Sequence, residues 1–283
     1  MSVCPPACGV ATSVFGHRMT LTPAKLSRLS GTGIKWVEIA ALQEQHLNLW
    51  DEERLRQIQD AFRHLPFKVW SLHAPFCAVA MDDDETRQEA VRRVIRAGDI
   101  AARLGAGCVV LHPGRDVPSK DRQRELNWTA EHVCRALEKM PDGVLLALET
   151  MGKESLGGPP EEMLCLLEKL PADRVGVCVD TGHIHLGFPV AAFIRQMKGR
   201  IVTVHLQDNR GQADDHLLAG SGTIDWLSVV EALKEADYRG ALISEGVDPG
   251  MSPDETAREF VRRMSALWGA DRNNATPSQT EGV

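Results

Sequence analysis

Short apolar runs alternate with amphipathic stretches along the whole chain. Eight runs, at 9–14, 34–39, 68–73, 108–112, 144–149, 175–180, 201–205 and 241–245, have the apolar and β-branched content of buried strands. Stretches near 22–30, 51–64, 84–104, 122–140, 160–170, 189–197, 226–236 and 253–268 repeat apolar residues at helical spacing. Strand–helix alternation implies a parallel sheet with helices outside it, and eight such units predict an α/β protein with one closed (β/α)₈ barrel over residues 1–269. Gly31, Gly33, Gly105, Gly107 and Gly240 stand between helices and strands, where glycine ends a helix. The acidic run 82–85 reads as a helix cap, and no G-x-G-x-x-G follows the first run. The polar stretch 270–283 is expected to be a disordered tail.

Composition narrows the partners. Of the 283 residues, 39 are acidic and 32 are Lys or Arg, a formal charge of −7 that argues against a nucleic-acid partner. No apolar run reaches the roughly 18 residues of a membrane span, and the start of the chain lacks signal-peptide character, so a cytoplasmic protein with no membrane partner is expected. The seven cysteines are scattered and odd in number. Cys77, Cys108, Cys134, Cys165 and Cys178 read as core filler rather than disulfide partners.

The chemistry collects at the predicted strand ends. In a barrel the C-terminal ends of all strands open into one mouth, which here would gather Glu38, His73, His112, Glu149, Asp180, His205 and Glu245. His183 follows Asp180 by three residues, and Asp214 and His216 lie in the loop after the seventh run. Five histidines and the four carboxylates other than Glu38 in one mouth carry a large desolvation cost that metal binding relieves. Mixed imidazole and carboxylate donors suit a divalent metal: Zn²⁺, Mn²⁺, Fe²⁺ or Co²⁺, and Mg²⁺ where fewer histidines engage. His17, after the first run, would reach the same mouth, Glu38 would face the substrate, and Arg210 in a mouth loop would meet an anionic group. His46, His64 and His132 fall in or beside helical segments and read as solvated or capping, whereas Trp36, Trp70 and Trp226 are candidate walls for a small polar substrate.

The segments Ser71-Leu-His-Ala-Pro75, Leu111-His-Pro-Gly114, Leu148-Glu-Thr150, Val175-Gly-Val-Cys-Val-Asp-Thr-Gly-His183, His205-Leu-Gln-Asp208, Asp214-Asp-His216 and Ser244-Glu245 resemble, in order, the xylose-isomerase-like barrel superfamily. That superfamily holds sugar isomerases and epimerases and also abasic-site nucleases of the endonuclease IV type. The epimerase pattern implies one metal held by Glu149, Asp180, His205 and Glu245, with His183 on a substrate hydroxyl. It implies enediolate chemistry on a small sugar or polyol, with Glu149 and Glu245 as catalytic proton carriers, and barrels of this kind often pair as homodimers. The nuclease pattern implies up to three zinc ions, adding His73, His112, His183, Asp214 and His216 as ligands and making Glu149 a bridge. A keto-polyol dehydratase of the same superfamily is a further alternative. The long segment 207–223, with Gly211, Gly220 and Gly222, is expected to act as a lid over this mouth.

Overall fold

The computed structural model describes residues 6–76, 79–80, 83–114 and 121–270; Cys4, Cys77, Arg115 and the expected tail from 271 lie outside these. Eight strands form one closed parallel barrel in chain order. They are β1 (Cys8–Ala11), β2 (Trp36–Ala40), β3 (Lys68–His73), β4 (Cys108–Leu111), β5 (Leu145–Glu149), β6 (Val175–Asp180), β7 (Ile201–Leu206) and β8 (Leu242–Ser244). β8 pairs back onto β1, with Gly9 beside Ile243. The described helices are α1 (Pro23–Arg28), α2 (Glu52–Phe62), α3 (Asp84–Leu104), α4 (Arg122–Leu137), α5 (Pro160–Glu168), α6 (Thr181–His185), α7 (Val190–Gln196), α8 (Trp226–Glu235) and α9 (Pro253–Gly269). None is long and apolar enough to cross a membrane.

Strand periodicity explains how the site is placed. Leu146, Leu148, Val175, Val177 and Val179 belong to the core between sheet and helices, so alternate residues of β5 and β6 face inward. The inward positions of these strands hold Ala147 and Cys178, which pack with Val110 and Val202 in a separate small cluster. One further step of two along each strand brings Glu149 and Asp180 to the mouth. Small side chains thus fill the barrel interior, and the polar layer rests on them.

Helix caps agree with the sequence reading. Asp83 accepts the Thr86 backbone N–H at the start of α3, and Gly105 ends that helix in a left-handed conformation. The short helix α6 is unpredicted; Asp180 caps it by accepting the His183 backbone N–H at 2.7 Å, so the last residue of β6 also sets the position of His183. Two histidines expected in solvent are buried. His46 bridges the Met19 carbonyl and the Thr12 hydroxyl, and His132 turns its Nδ1 back onto the Trp128 carbonyl, so both rings gain partners inside the fold. Cys8, Cys108, Cys134, Cys165 and Cys178 are free; the first two and Cys178 are buried. Trp36 and Trp70 meet edge to face at 5.2 Å and line a cavity of about 720 Å³ among the strand N-termini, so they do not wall the mouth.

Candidate metal centre

Glu149 is the hub of the mouth. Its Oε2 lies 2.9 Å from His73 Nε2 and 3.0 Å from His112 Nε2, while Oε1 lies 3.1 Å from His205 Nδ1 and 3.5 Å from His183 Nδ1. Four histidines from four parts of the barrel therefore surround one buried carboxylate. Burial alone would raise its pKa, but His205 and His112 hold it well below the ordinary carboxylate range. Ligand atoms of Glu149, Asp180, His205 and Glu245 lie within 4.8 Å of one another, as do those of His73, Glu149 and His205, and those of His183, Asp214 and His216.

The histidine rings are oriented from behind. His73 Nδ1 lies 3.0 Å from the Ala74 carbonyl and His183 Nδ1 lies 3.0 Å from the Thr150 carbonyl, which leaves Nε2 of each facing carboxylates. His183 Nε2 is 3.3 Å from Asp214, and His216 Nε2 is 3.0 Å from the same carboxylate. Glu245 is different: burial pushes its carboxyl up to about 7 against the pull of His205, with repulsion from Glu149 and Glu38 adding to the rise. Its Oε1 is buried with no partner among the described residues. A carboxylate-rich donor set with an unshared buried oxygen suits a hard or borderline divalent ion, and the chain's own residues fit one.

The segment after β7 is tied down at its base. Asp208 pairs with Leu217 through two backbone hydrogen bonds of 2.8 Å. The buried Asp208 carboxylate accepts the backbone N–H groups of Asn209, Gly220, Gly222 and Ile224 and the Trp226 indole N–H. A Cβ on Gly222 would come within 2.3 Å of that carboxylate, so this glycine permits close packing and is not a hinge. The expected lid is therefore a braced shelf that holds Asp214 and His216 toward His183. Trp226, expected near substrate, is a buried strut of the shelf.

Each remaining sequence candidate has a definite place. His17 lines a mouth cavity of about 530 Å³ together with Ser13, His216, Glu245, Asp248 and Thr256. Arg210 is mostly exposed at the loop tip and faces Asp215 at 3.9 Å, outside this cavity's lining. Glu38 is fully buried: its carboxylate accepts from Ser71 Oγ at 2.7 Å and lies 3.0 Å from His205 Nε2. A register shift between Val37 and Glu38 accompanies this inward placement. Gln207, given no role from sequence, donates to both Asp180 and Asp214 and so links the two ligand groups; its position two residues after the β7 histidine was the available signal.

Barrel order, the mouth position of the ligands and the run of motifs agree with a family-wide match. A family model described as a xylose isomerase-like TIM barrel matches residues 26–267. The chain belongs to this family. Within the xylose isomerase-like barrels, it is 29% identical to the uncharacterized protein MJ1311 of Methanocaldococcus jannaschii over 67% of this chain and 69% of that one. It is 32% identical to an apurinic-apyrimidinic endonuclease of Caenorhabditis elegans over 44% of this chain, but that stretch spans only 36% of the nematode protein. A D-tagatose 3-epimerase-like protein superposes with a TM-score of 0.80 at 23% identity, covering 93% of this chain and 98% of the other. That likeness is one of fold. Members of this family are enzymes, and the mouth of this barrel gathers His, Asp and Glu groups that could hold a metal ion.

The outer ligand group gives a pH test. Burial opposes protonation of His216, yet the Asp214 hydrogen bond raises its pKa to about 9. In chelated protein this pair's contribution to stability is complete below the ring's ordinary value of 6.5 and is lost as pH rises through about 9. The melting-temperature gap between wild type and H216N is therefore expected to narrow from pH 6.5 to 9.5. A gap that stays constant would show that the pair does not form.

Proposed function

We propose that this barrel is a divalent-metal-dependent isomerase or epimerase acting on a small, uncharged ketose or keto-polyol. The observation that carries this reading is the lining of the mouth cavity. Ser13, His17, His216, Glu245, Asp248 and Thr256 offer hydroxyl, imidazole and carboxylate groups, and no Lys or Arg is among the described lining residues. Such a surface suits hydroxyl groups and has neither Lys nor Arg among its described residues to hold a phosphate. The structural likeness to 3-epimerases supports the same reading.

Glu149, Asp180, His205 and Glu245 would hold the ion, which would polarise vicinal oxygens and stabilise an enediolate. The two glutamates then have unequal tasks. Glu149, bracketed by histidines and kept ionised, is a weak base suited to holding charge in place. Glu245, with a pKa near 7 and an unshared oxygen beside the mouth cavity, can accept a proton from a substrate carbon; its return to the neighbouring carbon gives an isomerase, whereas epimerisation needs a second donor on the opposite face of the same carbon. His216 lines the same cavity and His183 shares the Asp214 carboxylate with it, so both are placed to bind hydroxyl groups. Removal of a β-hydroxyl from the same enediolate would give a dehydratase, and the product distinguishes it.

A second reading has its own support. The Glu149 carboxylate faces histidines on both oxygens, as a carboxylate shared between metal ions would, and His183, Asp214 and His216 form a further ligand group. That arrangement favours phosphodiester hydrolysis with several zinc ions, the activity named for the nematode relative. The discriminating experiment incubates purified protein and candidate ketoses in deuterated water after counting bound metal. The proposed function predicts about one ion per chain and deuterium at the carbon next to the carbonyl, lost in E245Q. About three zinc ions with cleavage of abasic DNA and no exchange would overturn it in favour of the hydrolase.

A further inference from the structure

Three of the mouth histidines are held by defined partners, and one of them is reversed. His73 and His183 turn Nδ1 toward backbone carbonyls and present Nε2 to the carboxylates. His205 does the opposite. Its Nδ1 faces Glu149 at 3.1 Å and Glu245 at 3.4 Å, while Nε2 points down into the barrel at Glu38, 3.0 Å away. The ring is fully buried and stacked on His73 at 5.7 Å with a 24° interplanar angle. Asp180 Oδ2 lies 3.9 Å from Nδ1, and the ring also neighbours the Cys178 thiol, a far weaker acceptor than a carboxylate.

Glu38 is an unusual residue to bury at this depth. It makes no hydrogen bond to Lys or Arg, and Ser71 Oγ and His205 Nε2 both address a single oxygen, Oε2. Its Oε1 is buried with no partner among the described residues. A carboxylate in an apolar barrel is costly unless its charge has a partner, and the imidazole ring above it is that partner. The partnership has a chemical consequence. Both ring nitrogens face carboxylates, but a ring that ligates a cation in the mouth through Nδ1 keeps its one hydrogen on Nε2, where the Glu38 carboxylate accepts it.

We propose that Glu38 is the positioning residue that fixes the His205 tautomer, so that this histidine binds a divalent metal through Nδ1. The role rests on the metal-dependent reading above. Glu38 would touch neither substrate nor metal; it acts only through the ring it orients. Ser71 supports it from the side by donating to the same oxygen, which keeps the carboxylate turned toward His205.

The test uses the full chain and Zn²⁺ alone. Long-range ¹H–¹⁵N correlation spectra of Zn²⁺-loaded wild type are expected to show His205 with a protonated Nε2 and a metal-shifted Nδ1. Zn²⁺ competition with a chromogenic chelator is expected to give about 10- to 100-fold weaker binding for E38L, the usual scale for loss of a ligand's outer partner. E38Q, whose amide oxygen still accepts from Nε2–H, is expected to recover most of that loss, which a simple packing role would not explain. Wild type that takes up no Zn²⁺ defeats the metal-dependent reading and this role with it. Wild type that binds Zn²⁺ with Nε2 of His205 on the metal, or E38L that binds as tightly as wild type, overturns the role of Glu38 alone. The wild-type spectrum decides even where E38L fails to fold.

Discussion

Glutamine in place of Glu149 is expected to strip the mouth of metal and to lower turnover about 100- to 1,000-fold, the scale of losing a preorganised charge at a reacting centre. The reason lies in its neighbours. His73, His112, His183 and His205 all point ring nitrogens at this one carboxylate. An amide keeps the shape but removes the charge, and its NH₂ group would face histidine nitrogens that need an acceptor. Metal affinity should fall at least as far as the ~10- to 100-fold typical of outer-partner losses, since Glu149 is a direct ligand candidate in two of the three groups. Metal analysis after dialysis, with thermal unfolding as a control for folding, checks this. Retention of full metal content by folded E149Q would mean that the hub is structural.

Alanine in place of Asp208 should have the largest effect on stability. The carboxylate is fully buried and satisfies four backbone N–H groups and one indole N–H. Removing it leaves those donors without an acceptor, and each unsatisfied buried donor costs about 1–3 kcal/mol. Water entering the vacated space recovers part of this, so a net loss of roughly 3–5 kcal/mol is expected, similar to breaking a buried ion pair. For a chain of this size that lowers the melting temperature by about 10 °C. The shelf should also lose its hold on Asp214 and His216, so substrate binding is expected to weaken while the Glu149 group keeps its ion. Asparagine keeps one acceptor but turns an NH₂ toward the same donors, and should fall between alanine and wild type. Wild-type melting in D208A would show that the shelf is braced by its backbone pairing alone.

Barrel and ligands were legible for a common reason. A parallel strand of alternating pattern commits its side chains to two faces, and the residue that ends it inside the barrel must lie at the mouth. Glu149, Asp180 and His205 could therefore be assigned from their places at the ends of apolar runs, and the structure brings them within ligand distance of Glu245. His46 and His132 misled because amphipathic spacing does not say which polar ring will find a carbonyl inside the fold. Their partners, Met19 and Thr12 for one and Trp128 for the other, depend on how the loops and helices pack.

The segment after β7 shows the same limit from another side. Length and glycines suggested a moving lid, because loop composition reports freedom of the backbone and not what restrains it. The restraint is a single buried carboxylate whose five donors are spread from Asn209 to Trp226, a convergence that exists only after the chain has folded. Likewise sequence placed Glu38 among the mouth residues, whereas the packing of β2 against the other strands sets its carboxylate against His205 Nε2. The sequence by itself determined the closed barrel, the residues gathered at its mouth and the acidic character of the chain, since these follow from strand period, strand ends and composition. Only the tertiary structure decided that Glu149 is the hub, that Glu245 carries the raised pKa, and that Asp208 and Glu38 hold the centre from behind. Those roles depend on which buried groups share a few ångströms of low-dielectric space, and that is set by packing across the barrel rather than by order along the chain.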